Sequence, residues 1–440
     1  MGRKSYLLFL LFLLHFLLHN VLTPPSVVAA GGFGIGIGIG GSGGGGGGVW
    51  VGGGFETPMA PPSYGVGGGL DVAYRALQAW KASITSDPHG LLRSWVGPNV
   101  CSYKGVFCSS TFQDEGGGGG GGGGGPYVVG IDLNRANLEG SLVEDLAALT
   151  RLTLIHLNSN RFSGTIPAGF QALVSLQELD LSNNHLSGPF PAVILSMPSL
   201  VYLDLRFNGF YGPLPEILFS RPGLDAILLN DNRFYGEIPV SLLGSQASVI
   251  NLANNQLSGS IPASFGLGLD GSKVREILLL NNRLTGCIPQ GIGLFSDVEV
   301  FDVSRNSLTG HLPDTISCLD RIEVLNVGHN RLTGILPEMV CSLRTLLNLT
   351  LAYNFFSGFS QGCSRLLYGG VGFDFSANCI PEWQLQRPPL ECSAGGAGAG
   401  LSCFRVPVVE PIVCGAMGFL GRAISGLSST PTPPSTSHPP

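Results

Sequence analysis

From Val128 to Ser360 the chain repeats one frame of apolar and polar positions: a Leu-x-Leu triplet, an asparagine three residues after it, then Leu-x-Gly. The stretch Leu179-Asp-Leu181-Ser-Asn-Asn184-His-Leu186-Ser-Gly188 shows it in full. The asparagines fall at Asn160, Asn184, Asn208, Asn232, Asn255, Asn282, Asn306, Asn330 and Asn354, with spacings of 24, 24, 24, 23, 27, 24, 24 and 24. One earlier unit, running from Ile131 to Gly140, carries Ala136 in the asparagine position, as a terminal unit can. Alternation within the triplet predicts a short strand with its leucines on one face. A unit of this length cannot bury that face alone, but stacked units can, with parallel strands about 4.8 Å apart lining one continuous core.

The pattern predicts an α/β leucine-rich repeat solenoid of about ten plant-type rungs over residues 127–362. Each asparagine turns the chain off its strand and offers its amide to backbone groups that water cannot reach, so the asparagines should form a ladder. Glycines such as Gly164 mark a bend that a side chain would crowd, and the proline that commonly follows fixes an extended convex segment. Residues 70–126 read as an N-terminal cap around Leu77, Trp80 and Trp95, interrupted by the glycine run 116–125. Residues 363–414 form a cysteine-rich C-terminal cap, and 415–440 a Pro/Ser/Thr-rich tail. At the other end, the basic residues Arg3 and Lys4 precede an apolar run from Tyr6 to Leu18, which is the layout of a secretory signal over residues 1–30. A glycine-rich leader, 31–69, follows it.

A secreted chain meets an oxidising compartment, so its ten cysteines should be paired. Cys101 and Cys108 are close enough to close the N-terminal cap, with the late cysteines joined among themselves over the last repeat. The sequon Asn348-Leu-Thr350 should be glycosylated. No second apolar run offers a stable transmembrane anchor.

Only 12% of residues are charged and the net charge is -6, which gives no support for nucleic-acid binding. The motif Gly266-Leu-Gly-Leu-Asp-Gly271 has phosphate-loop spacing but falls in the one 27-residue unit, outside any βαβ context, and reads as a convex loop. No cysteine pair has zinc spacing, and the eight histidines are dispersed. The expectation is a binding protein, not an enzyme, with no catalytic residues, metal or cofactor.

The outward residues of the triplets form columns on the concave face, the usual binding surface of solenoids. The columns carry Asp180, Asp204, Arg206 and Asp302, then Leu228, Asn230, Leu278 and Leu280. Leucines at outward positions in nearby rungs predict an exposed apolar patch with an acidic flank. A small secreted basic peptide with an apolar anchor would match both halves, the carboxylates steering it and the leucines anchoring it.

The stretch Leu284-Thr-Gly-Cys287-Ile-Pro-Gln-Gly-Ile-Gly resembles the leucine-rich repeat extensins of plant cell walls. So do Val300-Phe-Asp-Val-Ser304, Val327-Gly-His-Asn330, Met339-Val-Cys341 and the tail's Asn378-Cys379-Ile-Pro381, Gln386-Arg387 and Glu391-Cys392. The resemblance covers about residues 70–403. It implies an extracellular, wall-located repeat domain that binds basic, cysteine-containing peptides of the rapid alkalinization factor type, in wall integrity and growth control. The family's extensin module of repeated Ser-Pro-Pro-Pro-Pro is missing, since after Cys414 only the stub Ser428-Ser-Thr-Pro to Pro440 remains. Two rival readings are a structural wall glycoprotein docking on polysaccharide, and a secreted inhibitor similar to the polygalacturonase inhibitors. Polygalacturonate is itself a polyanion, so the acidic column opposes the first. The late-cysteine tail opposes the second.

Overall fold

The computed structural model describes residues 69–109, 126–262, 273–363, 366 and 370–396. The expected signal segment, most of the leader, the glycine run 116–125, the Gly266–Gly271 motif, and Cys403, Cys414 and the tail beyond them lie outside the described residues.

Each repeat from the second on contributes a three-residue strand that begins one place before the first leucine of the triplet, so that its middle residue points inward: Leu179, Leu203, Ile227, Ile250, Ile277 and Phe301 are all fully buried. Successive strands pair in parallel and in register, Glu178↔Tyr202, Leu179↔Leu203, Asp180↔Asp204 and so on, building a twelve-stranded concave sheet from Val106–Ser109 to Gly372–Asp374. A second series of strands follows the asparagines, as in Arg161–Gly164 and Gly209–Gly212, with Phe162, Phe210, Phe234 and Phe356 filling the core from that side. Short 3-10 turns after the prolines, such as Ala168–Ala172 and Asp314–Cys318, make up the convex side.

The asparagine ladder explains the period. Asn184 Nδ2 donates to the carbonyls of Leu157 (2.9 Å) and Leu181 (3.1 Å), and its Oδ1 accepts the Phe162 N–H at 3.0 Å. Two of these three bonds serve the preceding unit. The first unit has no repeat before it, so nothing requires an amide where Ala136 stands. By the same logic the tenth unit needs an asparagine in an eleventh unit. Asn378, 24 residues after Asn354, supplies it, donating to Leu351 O (3.1 Å) and accepting from Phe356 N–H (3.0 Å). The repeats therefore continue one rung past the expected boundary at 362, into the segment read as a cysteine-rich tail.

The Gly164 bend is dictated by the backbone and not by crowding. Its φ is +87°, and a Cβ there would meet nothing within 4 Å. In the residue before each ladder asparagine the frame imposes the same left-handed conformation on non-glycine residues, among them Asn183 (φ 53°), Phe207 (φ 53°) and Tyr353 (φ 59°).

Antiparallel strands close the N-terminal end. Ile84–Ser86 pairs with Glu139–Ser141, and Val106–Ser109 with Tyr127–Asp132. Helix α1 (Gly69–Ser83) lays Leu77 and Trp80 over the first rung, where the Trp80 indole N–H donates to Ser141 O at 3.1 Å. The carboxylate of Asp87 accepts the backbone N–H groups of Leu91 and Leu92. Cys101 and Cys108 are joined, with Cα atoms 5.6 Å apart. At the far end Cys341 is joined to Cys363 and Cys379 to Cys392, and Cys287 and Cys318 are also disulfide-bonded. Phe359, Phe373, Phe375 and Trp383 cluster against the last rung, and the Arg387 guanidinium lies 4.5 Å over Phe355.

Candidate binding surface on the concave sheet

Strand alternation puts the residues on both sides of each inward residue onto the concave face, so three columns face the hollow. The sequence reading took the two that follow the inward residue and missed the one before it: Glu178, Tyr202, Ala226, Val249, Glu276 and Val300. The signal was available, because a residue one place before an inward leucine has the same facing as the residue one place after it.

The carboxylates of the middle column first serve the fold. Asp132, Asp180, Asp204 and Asp302 each accept, through Oδ1, the backbone N–H two residues on, at 2.9 to 3.1 Å, and Asn251 and Asn326 do the same. This side-chain turn closes the strand end and accounts for the recurrence of Asp or Asn there. The second oxygens differ. That of Asp302 accepts from Asn326 Nδ2 at 3.0 Å. That of Asp204 takes the Tyr202 hydroxyl (3.2 Å) and Arg206 Nε (2.8 Å), and Asp204 has no solvent exposure at all. Burial pushes the Asp204 carboxyl up, against the pull of Arg206. Asp204 and Arg206 thus satisfy each other and do not form the free steering charge expected of Asp204. Asp180, half-buried, keeps an oxygen without a partner among the described residues.

His156 lies between these acids, its Nε2 2.9 Å from Glu178. Burial pulls its pKa down, but the hydrogen bond and charge of Glu178, with Asp180 and Asp132 beyond, more than offset that and raise it. Partly accessible charge on the face includes Asp132, His156, Glu178 and Asp180 on the first three rungs, Arg206 and Asp302 further along, and the exposed Asp374 on the eleventh.

The leucines need a correction. Leu228 and Leu278 are each only 7% exposed, and Leu280 alone of the three is partly open. In-register stacking is the reason. Leu228 stands between Asp204 and Asn251, and Leu278 between Asn251 and Asp302, so each column closes on itself. Asn230 is also buried; its Nδ2 donates to Asp231 at 2.8 Å while its Oδ1 has no partner. Among the described residues no cluster of His, Cys, Asp and Glu is arranged to hold a metal, and no helix is long and apolar enough to cross a membrane.

A concave parallel sheet with an asparagine ladder defines a leucine-rich repeat protein, and the chain is one. Family models for the leucine rich repeat match residues 150–210, 247–267, 297–319 and 321–343, and the leucine rich repeat N-terminal domain matches 73–109. Its sequence relatives are leucine-rich repeat extensin-like proteins of Arabidopsis thaliana. Leucine-rich repeat extensin-like protein 6 is 46% identical over 109 residues, 24% of this chain and 20% of that protein. Leucine-rich repeat extensin-like protein 4 is 47% identical over 91 residues, 21% of this chain and 17% of that protein. The matched stretch therefore spans a fifth or less of these relatives' length.

Among solved structures, a TDR receptor is 30% identical with a TM-score of 0.55, covering 57% of this chain and 44% of the receptor. The Arabidopsis receptor kinase HAESA, in complex with the peptide hormone IDA and the co-receptor SERK1, is 28% identical with a TM-score of 0.50, covering 69% and 57%. A plant ice-binding protein, 24% identical with a TM-score of 0.57 over 70% of this chain and 94% of its own, shares the fold alone.

Proposed function

We propose that this is a secreted, extracellular leucine-rich repeat protein of the plant cell wall, without enzymatic activity, that binds a small basic signalling peptide on its concave sheet. The peptide is of the rapid alkalinization factor type, and the binding serves wall integrity and growth control. The observation that carries the reading is the distribution of charge. Asp132, Glu178 and Asp180 leave accessible negative charge on the first three rungs, next to central rungs made of Ala226, Leu228, Val249, Leu278 and Val300. Such a field steers a cation, and the neighbouring apolar floor suits an apolar contact. Sequence relatives named leucine-rich repeat extensin-like, and a fold shared with a receptor in complex with a peptide hormone, support the same reading.

The test is biolayer interferometry of the plant-secreted full chain against a synthetic oxidised basic peptide of this type, and against oligogalacturonide, at 50 to 300 mM salt as chosen conditions. Peptide binding whose on-rate falls with salt, and whose salt dependence flattens in Asp132→Asn with Asp180→Asn, is expected. Binding to the oligosaccharide alone, or binding indifferent to both changes, would overturn it.

A further inference from the structure

Two carboxylates lie nearly out of solvent on the concave face, and the fold treats them differently. Asp204 is surrounded by Tyr202 and Arg206. Glu276 is 8% exposed and has, among the described residues, neither a hydrogen bond nor an ion pair. Its neighbours are aliphatic. In register it stands between Val249 and Val300, and Leu278 follows it on the same face of its own strand. The inward Ile277 fixes the direction, since the residues on either side of it must point to the hollow.

Resting on the peptide reading above, we propose that Glu276 is the floor of a subsite for one arginine or lysine side chain of an extended peptide, with Val249, Leu278 and Val300 packing its methylene stem. The chemistry of the floor selects the occupant. An unpaired carboxylate calls for a cation, and an aliphatic collar calls for one carried on an apolar stem, which describes Arg and Lys better than a hydrated metal ion. Burial holds the Glu276 carboxyl at about 7, with Glu299 on the next rung adding to the effect, so the unfilled site carries an electrostatic penalty that an incoming guanidinium relieves. The subsite lies in the column that the Leu-x-Leu reading omitted, and it is separate from the Asp132, Glu178 and Asp180 field that steers.

The experiment uses an immobilised array of peptides of the form Ala-apolar-Arg-apolar-Ala, with Leu, Val, Ile or Phe at the apolar places, beside the same array carrying citrulline for arginine. The labelled full chain is applied at pH 8. The native protein should retain Arg members at least tenfold over their citrulline twins. Glu276→Gln, whose folding is checked by its urea midpoint, should lose that preference, while Asp145→Asn on the convex side, the same change of charge, should keep it. Retention of array members without an arginine preference, or a preference that survives Glu276→Gln, overturns the subsite and leaves peptide binding standing. Failure to retain any member overturns both.

Discussion

Replacing Asn232 with alanine tests whether the asparagine ladder holds the rungs together. Asn232 is 8% exposed. Its Nδ2 donates to Leu205 O at 2.9 Å and Leu229 O at 3.2 Å, and its Oδ1 accepts Phe210 N–H at 3.0 Å. Each such bond contributes about 1 kcal/mol net, and a buried N–H left without an acceptor costs about 1 to 3 kcal/mol more. Asn232→Ala should therefore destabilise by about 4 to 6 kcal/mol, a large share of the roughly 5 to 15 kcal/mol typical of a folded domain. The matched control is Ser187→Ala, an exposed position in the neighbouring column, expected to stay within about 0.5 kcal/mol. Urea unfolding of both variants with disulfides intact, followed by circular dichroism, gives the difference. Hydrogen exchange locates it, since the Phe210 amide should lose protection first. A loss below about 1 kcal/mol with the Phe210 amide still protected would mean that packing and not the ladder sets the period.

Glu276→Gln should stabilise the fold by on the order of 3 kcal/mol at pH 8 and by nothing at pH 4. Burial raises this carboxyl from 4.5 to about 7, so its favourable share of stability is complete below about 4.5 and is lost as pH rises through 7; equal stability of the two proteins at pH 8 would refute it. Removing the Cys341–Cys363 bridge with paired serines should cost about 3 kcal/mol from a closed loop of 22 residues, and thermal melts of the double variant check this. Asn348, half-buried on the concave strand with Oδ1 accepting the Thr350 hydroxyl at 3.0 Å, should carry a glycan in the plant-secreted protein; unchanged electrophoretic mobility after glycosidase treatment would contradict it.

The period alone identified the solenoid, because a 24-residue frame has few ways to bury its leucines. What it missed follows from the same physics. The eleventh rung was hidden because Phe373 and Phe375 stand where the other units have leucines, although Asn378 keeps the 24-residue step. The left-handed residues before each asparagine were invisible because Phe207 and Tyr353 have no intrinsic preference for that conformation; the ladder imposes it. Outward facing alone predicts Leu228 and Leu278 exposed, whereas in-register neighbours about 4.8 Å away cover them. Asp204 reads as a free charge in the sequence because its partner Arg206 lies two residues on, just past the strand end, a pairing that period and composition do not single out.

These corrections narrow where a ligand can act. The middle-column aspartates are committed through one oxygen to their own strand ends, and Asp204 and Asp302 through both. Neutralising Asp204 or Asp302 therefore perturbs the fold before it perturbs recognition, whereas an asparagine at Asp132 or Asp180 keeps the Oδ1 acceptor, as Asn251 and Asn326 do. A glycan on Asn348 would stand over the last rungs on the same face. Accessible charge on rungs one to three can attract a partner from a distance, but it is hydrated and distinguishes poorly between cations. Discrimination needs a charge removed from water and left unpaired by the protein itself, and among the carboxylates of the described concave sheet Glu276 meets both conditions. A glutamine in its place would relieve the electrostatic cost without changing the packing volume. In the proposed complex a cation from outside the chain offsets that cost, which would place long-range attraction and local selection on different rungs of one sheet.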